Sequence, residues 1–512
     1  MTADRKTRTQ TQKSPSKRGG SHGPRPLACV ILAGGLGTRM RSALPKVLHT
    51  VCGKPMISYP LSAAWGLRPQ KTVIVTGVSS HEDITRALST AGDAPEKTKM
   101  KLSFALQREA LGTGHALLTA MKELKGFGGS VVVLNGDFPL ITPGTVRKLL
   151  GLHRRHGNSV TLGSFIAQDP GPYGRIVRDS AGLPERIVEK TDLTPAHEGI
   201  REVNSGLYVL EPEAADLLGK IEKNRTKKEY YLTDILALAR ATGLRTGAYP
   251  IAPEQEFAGV NNFRELCMAE SIMRRRIVEG LMENGVRFVN PGSAFLDAGV
   301  SCAPGVVIYP NVHLQGSTSI GKGCIIYPNV RIIDSVIREG ALVLDSSVIE
   351  SSDVGNDSQI GPFAHLRPGS VIRRSAKIGN FVEIKKSTIG EGTKAMHLSY
   401  IGDSSVGNSV NIGAGTITCN YDGVNKHRTV IEDGVFIGSD SQLVAPVTIK
   451  RGSFVAAGST ITKDVPEESL AISRVEQKNV EGWARKKRGG SKTAPGKKMA
   501  QGKTRGTTRK GL

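Results

Sequence analysis

The sequence predicts two folds in series, an α/β unit built on a parallel sheet over residues 28–260 and an all-β unit, a parallel β-helix, over residues 290–475. Three observations predict them. Short β-branched runs such as Thr72–Thr76 and Val131–Leu134 alternate with helical patterns around residues 55–66, 113–124 and 144–155, the rhythm of strands joined by crossover helices. Beyond about residue 300, aliphatic residues recur every six positions with small or turn-forming residues between them. Between the halves, Leu266, Ala269, Met273, Ile277 and Leu281 fall at helical spacing with Arg274, Arg275, Arg276 and Glu279 on other faces, which places a connecting helix within the linker 261–289.

The ends of the chain carry most of its charge. Of a formal +23, residues 1–27 hold seven Lys/Arg against Asp4 and residues 485–512 hold eleven with no acid, so the tails account for +17. Both are rich in Gly, Ser, Thr, Pro and Lys and cannot bury enough apolar surface to offset chain entropy; residues 1–27 and 476–512 are expected to be disordered basic tails. With Trp483 as their one aromatic residue, they predict non-specific contact with nucleic acid at most. The middle of the chain, at +6, fits an enzyme that binds anions. Six cysteines without a Cys-x-x-Cys pair speak against a disulfide framework or a structural zinc, and the absence of an 18-residue apolar run or a signal-peptide core predicts a cytoplasmic protein without membrane insertion.

In the α/β unit the strand Leu27 to Leu32 runs into Ala33-Gly34-Gly35-Leu36-Gly37-Thr38-Arg39-Met40, with Pro45-Lys46-Val47-Leu48 after it. Glycines at a strand end let backbone N–H groups approach an anion, and Lys46 supplies a cation for phosphate. No Gly-Lys-Ser/Thr closes the loop, which excludes a Walker A motif, and Met40 stands where a dinucleotide fingerprint needs its third glycine. Asn135-Gly136-Asp137 follows an apolar strand directly, so Asp137 projects from the strand end as a hard oxygen ligand suited to Mg²⁺. Gln107 with Gly112-Thr113-Gly114-His115, and Tyr173-Gly174-Arg175-Ile176 with Glu189, Asn204-Ser205-Gly206 and Gly259-Val260-Asn261, pair glycine with the amide and acid groups that read base edges and sugar hydroxyls. The combination points to nucleotidyl transfer.

In the second unit Ile308, Leu314, Ile320, Ile326 and Ile332 form one six-residue series, Val354, Ile360, Leu366, Ile372, Ile378 and Ile384 a second, and Ile437, Leu443, Ile449, Val455 and Ile461 a third. Neither a 3.6 nor a 2.0 period explains them, whereas each hexad forms one side of a triangular coil with its aliphatic residue on the axis. The step drops to five from Ile332 to Ile337 and from Ile384 to Ile389. Cys419 to Thr429, polar and containing Asp422-Gly423, lacks the beat and reads as a loop leaving the coil.

The ordered set Leu-Ala-Gly-Gly-x-Gly-Thr-Arg-Met, Pro-Lys-Val-Leu, Leu-Gly-Thr-Gly-His-Ala, Gly-Asp-x-Pro-Leu, Tyr-Gly-Arg-Ile, Glu-Tyr-Tyr-Leu-Thr-Asp and Gly-Val-Asn-Asn resembles the bacterial bifunctional N-acetylglucosamine-1-phosphate uridylyltransferase and glucosamine-1-phosphate acetyltransferase family, over about residues 28–475. Arg367-Pro368-Gly369, Asn380 to Lys386, His397-Leu398-Ser399-Tyr400, Asn411 to Thr416 and Asn420 to Gly423 resemble its acetyltransferase site. The resemblance implies a Rossmann-like nucleotidyltransferase domain followed by a left-handed β-helix of hexapeptide repeats, Mg²⁺, the co-substrates UTP and acetyl-CoA, the acceptors glucosamine 1-phosphate and N-acetylglucosamine 1-phosphate, and a homotrimer. Leu32, Ala33, Gly34, Gly35 and Asn135 would line the nucleotide, Gln107, Gly112 and Thr113 would read the uracil, Lys46 and Arg39 would steady the triphosphate, and Asp137 and Asn261 would hold magnesium. Gly174, Glu189, Asn204 and Asn261 would grip the sugar phosphate.

In the acetyl site the amine must be uncharged when it attacks a thioester, so a base is required, and His397 is the candidate. By the same resemblance Arg367, Lys385, Tyr400 and Asn411 would hold the sugar phosphate, while Ala414, Asn420, Tyr421, Lys426, Ser439, Ala457 and Arg474 would form the acetyl-CoA and acceptor groove. Asn135 stands where the family commonly has tyrosine or serine, and Met396 where a small residue is usual. A competing expectation is a monofunctional sugar-1-phosphate nucleotidyltransferase with a structural β-helix.

Overall fold

The computed structural model describes residues 26–35, 37–90, 101–171, 173–224 and 228–489. The predicted basic tails fall largely outside this range, at residues 1–25 and 490–512. Within it, Leu27 opens the first strand, Leu27–Ala33, and Trp483–Gly489 forms a short exposed helix inside the stretch expected as the second tail.

The front half carries one sheet whose seven main strands lie in the order Thr246–Pro250, Val160–Ile166, Glu202–Leu210, Ser130–Asn135, Leu27–Ala33, Lys71–Gly77, Lys101–Gln107. The four N-terminal strands are parallel, as expected from their alternation with helices. Glu202–Leu210 runs antiparallel to both neighbours, and a hairpin of Arg175–Arg178 and Pro184–Val188 hangs from it, so the sheet is mixed where the sequence rhythm predicted a parallel one. The expected helices occupy Ser58–Trp65, Thr113–Glu123 and Pro143–His156; His81–Thr90 and Ile235–Ala241 add two more. Strand order reverses between Leu27–Ala33 and Ser130–Asn135, and in open α/β sheets the crevice at the carboxyl ends of such a reversal is where ligands bind. In that crevice Leu32 pairs with Asn135 and Gly136 donates its N–H to the Leu32 carbonyl at 2.9 Å, so the glycine loop and the Asp137 loop leave the sheet side by side.

The second half is a left-handed parallel β-helix that starts at Arg287–Phe288, three residues before the predicted boundary. Val307 stacks on Ile325, then on Leu342, at offsets of 18 and 17 residues, so a full coil is three hexads or two hexads and a pentad. Every aliphatic residue of the three series is buried in one continuous core, and Ile337 and Ile389 at the five-residue steps join it. Buried Ser and Thr hydroxyls satisfy the corners: Ser335 N–H donates to Thr318 Oγ1 and Ser352 N–H to Ser335 Oγ, one coil apart. Between Asn411 and Phe436 the offset widens to 25 residues, and the excess is the expected loop, closed by a bridge between Tyr421 and Lys426.

The helix Phe263–Glu283 joins the halves. Leu266, Ile272 and Met273 pack against Met40, Met56 and Leu140 of the front half, while Ile277 and Leu281 pack on the β-helix core. Arg276 donates to the Leu140 carbonyl at 2.7 Å, and the Arg274 guanidinium lies 4.5 Å from the Phe295 ring centre.

Two candidate active sites

At the front crevice the Lys46 ammonium lies 2.6 Å from Asp137 Oδ2 and donates to Asn261 Oδ1 at 3.1 Å. Three residues from separate loops thus meet at one point, with Lys46 and Asp137 largely shielded from solvent. Asn261 is held there by the start of the following helix, Phe263–Glu283, whose N-cap is Asn262. Asn262 Oδ1 accepts from Glu265 N–H, and Glu265 returns its carboxylate to Asn262 Nδ2 at 2.8 Å and to Asn261 N–H at 2.6 Å. Asn262-x-x-Glu265 was the sequence signal for this anchor, and it carries no role in the motif reading.

Gln107 lies on the other side of the glycine loop. Its Nε2 donates to the Gly112 carbonyl at 3.1 Å and meets His115 Nδ1 at 3.1 Å, and Gly34 approaches so closely that a Cβ there would fall 2.7 Å from Gln107 Oε1. Gly112 has φ +94° and faces the Tyr230 carbonyl, a position for glycine alone. Thr113 Oγ1 accepts from Leu232 N–H, tying the pocket to the loop that follows Tyr230. Arg39 sits exposed on the turn Thr38–Met40, and its side chain makes no hydrogen bond or ion pair among the described residues.

Beyond Asp137 the crevice continues past Asn204, whose Oδ1 accepts from Gly206 N–H at 3.0 Å, and past Asn135, whose amide lies against Gly206. Glu189 accepts a hydrogen bond from Thr233 Oγ1 at 3.0 Å, and Gly174 packs against the same carboxylate. Burial raises the Glu189 pKa, and burial together with Glu189 and Asp192 pushes Asp234 up to about 6.

The second site lies on a β-helix face where successive coils place residues in register. Asn380 pairs with His397 and Glu383 with Tyr400. His397 is exposed, and its Nδ1 lies 2.7 Å from Asn380 Oδ1. Arg367 donates to Glu383 Oε1 at 2.8 Å; Lys385 Nζ lies 3.8 Å from Asp403 Oδ2, which also accepts from Asn420 Nδ2. Gly402 lies beneath both the Tyr400 hydroxyl and the Asn420 amide. Lys426, from the inserted loop, comes beside Lys385, which lowers its pKa. That loop is pinned by Asp422, which accepts from Val424 N–H, Asn425 N–H and His427 Nε2 and is held down to about 2 by those bonds.

Met396 lies between Gly379 and Gly413 in the columns of adjacent coils, so neighbours without side chains flank it beside His397. Asn411 is half-buried between Lys394 and Phe436, and the Ala414 carbonyl accepts from Asp440 N–H at 2.7 Å. Farther along the groove, Gly458 N–H donates to the Ser439 carbonyl at 2.8 Å and Arg474 Nη1 to the Ala457 carbonyl at 2.6 Å, which brings Ser439, Ala457 and Arg474 together. The motifs included Asn380 and Glu383 without assigning them a role, and they left out Asp403. Each stands one coil, 16 to 18 residues, from the cation or base that it contacts, so the repeat length was the signal.

Residues 28–251 match the family described as nucleotidyl transferase, residues 296–373 the GMPPB C-terminal domain, and residues 428–463 the bacterial transferase hexapeptide family. The bifunctional protein GlmU of Thermodesulfovibrio yellowstonii is 49% identical over 459 residues, covering 90% of this chain and 99% of the relative. Its counterpart from Pelobacter propionicus is 46% identical, covering 89% and 98%, and that of Streptomyces avermitilis 42%, covering 94% and 99%. These likenesses run through both sites without a break, and the chain belongs to the family of bifunctional GlmU proteins, transferases that join a nucleotidyltransferase unit to a hexapeptide-repeat β-helix.

Proposed function

We propose that the rear site moves an acetyl group from acetyl-CoA to the amine of glucosamine 1-phosphate, and that the front site moves a uridylyl group from UTP to N-acetylglucosamine 1-phosphate with release of pyrophosphate. The observation that carries this reading is the meeting of Lys46, Asp137 and Asn261 at the strand-order reversal, a phosphate cation beside two oxygen donors. Asp137 Oδ2 and Asn261 Oδ1 both point at one cationic position, and hard oxygens of this kind suit Mg²⁺. Two protein oxygens leave the remaining coordination to phosphates and water, the usual habit of that ion. When bound, Mg²⁺ neutralises phosphate charge. Lys46 and Arg39 orient the triphosphate, Gln107 and the Gly112–Thr113 turn take the uracil edge, and Glu189 and Asn204 hold sugar hydroxyls so that the acceptor phosphate oxygen faces the α-phosphate.

In the rear site Arg367, Lys385 and Tyr400 hold the acceptor's phosphate, an Arg fork and a Lys point charge on one anion, and His397 takes the amine proton. The rear site is completed in a trimer. Phe363, Phe381 and Leu398 occupy successive corners beside His397 at φ +54°, +56° and +43°, more than half exposed, a strained apolar ladder suited to a neighbouring subunit. No helix among the described residues is long and apolar enough to cross a membrane, and cytoplasmic residence is part of the proposal.

The deciding experiment supplies acetyl-CoA and glucosamine 1-phosphate to purified protein and follows free thiol, then adds UTP and follows pyrophosphate. Thiol release no greater than that of a His397→Ala control removes acetyl transfer and leaves the monofunctional nucleotidyltransferase reading. Sedimentation at micromolar concentration tests the trimer, and a monomer overturns it.

A further inference from the structure

We infer that Asn380 is the positioning residue that fixes the tautomer of His397, so that the imidazole presents a free Nε2 lone pair to the acceptor amine. The inference rests on the proposed role of His397 as base. Neutral imidazole carries one proton on two nitrogens, and only the unprotonated one can act as a base. Asn380 Oδ1 is an acceptor 2.7 Å from Nδ1, so that contact is a hydrogen bond only when Nδ1 holds the proton, which leaves Nε2 bare.

The contact is built into the coil. Asn380 lies within the strand Lys377–Lys385 and His397 within Lys394–Gly402, two long strands that wrap a corner and stay paired through it, with Asn380 directly opposite His397. Beside them Gly379 approaches the Met396 carbonyl so closely that a Cβ would lie 1.9 Å from its oxygen. The two coils therefore come together at this corner only because residue 379 has no side chain, and that approach sets Asn380 against the ring. Phe381, the next residue along, stacks on Phe363 of the preceding coil with centroids 5.4 Å apart.

The acceptor nitrogen attacks the thioester carbonyl carbon and the carbon–sulfur bond breaks. The amine proton passes to Nε2, and the imidazolium, still bound through Nδ1–H to Asn380, returns that proton to the departing coenzyme A sulfur. An amide and a free thiol are formed and His397 is restored. An amide partner orients the ring without the full charge that a carboxylate would place beside it.

The test uses the full-length protein and the variants Asn380→Ala and Asn380→Asp. Asn380→Ala is expected to lower kcat for acetyl transfer by about 10- to 100-fold, the cost seen when the partner that orients a metal-bound imidazole is lost, with KM for both substrates within about two-fold. Asn380→Asp, which keeps an acceptor at the same reach, is expected to recover most of the rate. Nitrogen-15 spectra of labelled protein at pH 8 should show His397 protonated at Nδ1 in the parent and as a mixture of tautomers in Asn380→Ala. A parent spectrum with the proton on Nε2, or an Asn380→Ala kcat within about two-fold of the parent, overturns the inference. If instead His397→Ala itself transfers acetyl at the parent rate, the proposed base falls, and the positioning role falls with it for that separate reason.

Discussion

The two candidate sites gather similar groups, a cation with a carboxylate or an imidazole, by opposite routes through the chain. At the front, Lys46 meets a partner 91 residues away and another 215 residues away, brought together by strand order. At the rear, His397 and Asn380 are 17 residues apart, Arg367 and Glu383 16, and Asp403 and Asn420 17, each pair one coil from contact. The electrostatics differ as well. Burial raises the front carboxylates Glu189 and Asp234, whereas hydrogen bonds hold the exposed Asp422 of the rear loop low. A sheet can gather and desolvate distant residues, while a solenoid of short repeats displays near ones on an open face.

If the sites are chemically independent, each should be removable alone. His397→Ala is expected to cost acetyl transfer about 10²- to 10⁴-fold, the range for a positioned base, with uridylyl transfer unchanged. Asp137→Ala should do the converse, lowering uridylyl transfer by at least about 100-fold and sparing acetyl transfer. Assaying both half-reactions on both variants sharpens the comparison, and parallel loss of the two activities in either variant would break it.

What sequence could show follows from the same difference. In the β-helix a six-residue beat names the core residue by residue, from Ile308 to Ile461, because the coil repeats one local geometry and each contact lies one turn away. In the front sheet the loops were legible as motifs, and Leu27–Ala33 with Asp137 identified the crevice, but the antiparallel insertion of Glu202–Leu210 was not, since a strand's direction depends on neighbours that its own residues do not specify. The pairings of Asn380, Glu383 and Asp403 with His397, Arg367 and Lys385 were readable only by adding a coil length to each motif residue. Asn261 was readable as a donor, but its hold by Glu265 required seeing Asn262-x-x-Glu265 as a helix start.

A core substitution probes how the two architectures share load. Ile378→Ala empties a fully buried position on the β-helix axis, and deletion of such a side chain costs about 2–5 kcal/mol. Because each coil contacts only its neighbours, the damage should stay in the rear half. Differential unfolding followed by the two activity assays is expected to show acetyl transfer lost at a lower temperature than in the parent, with uridylyl transfer lost at the parent temperature. Joint loss would mean that the helix Phe263–Glu283 couples the halves into one cooperative unit.

The smallest effect isolates the electrostatics of the front site. Asp234 has its pKa raised to about 6 by burial and by Glu189 and Asp192, so the folded protein disfavours its charged form. The sign follows from linkage. Well below pH 4 the group is protonated in both states and costs little; as pH rises from about 4 to about 6 the unfolded carboxylate ionises first, and stability is lost across that window. Asp234→Asn removes the ionisation and should stabilise the protein at pH 8 by about 1–2 kcal/mol, a figure reduced for the partial exposure of the group, with almost no gain at about pH 3. At the rear, Asp422 has the opposite dependence, since its lowered pKa gives a contribution present above about pH 4 and lost as pH falls toward 2. Denaturant titrations of Asp234→Asn at the two pH values test the sign directly: an equal gain at both, or a loss at pH 8, would show that burial is not what distinguishes the front carboxylates from the rear ones.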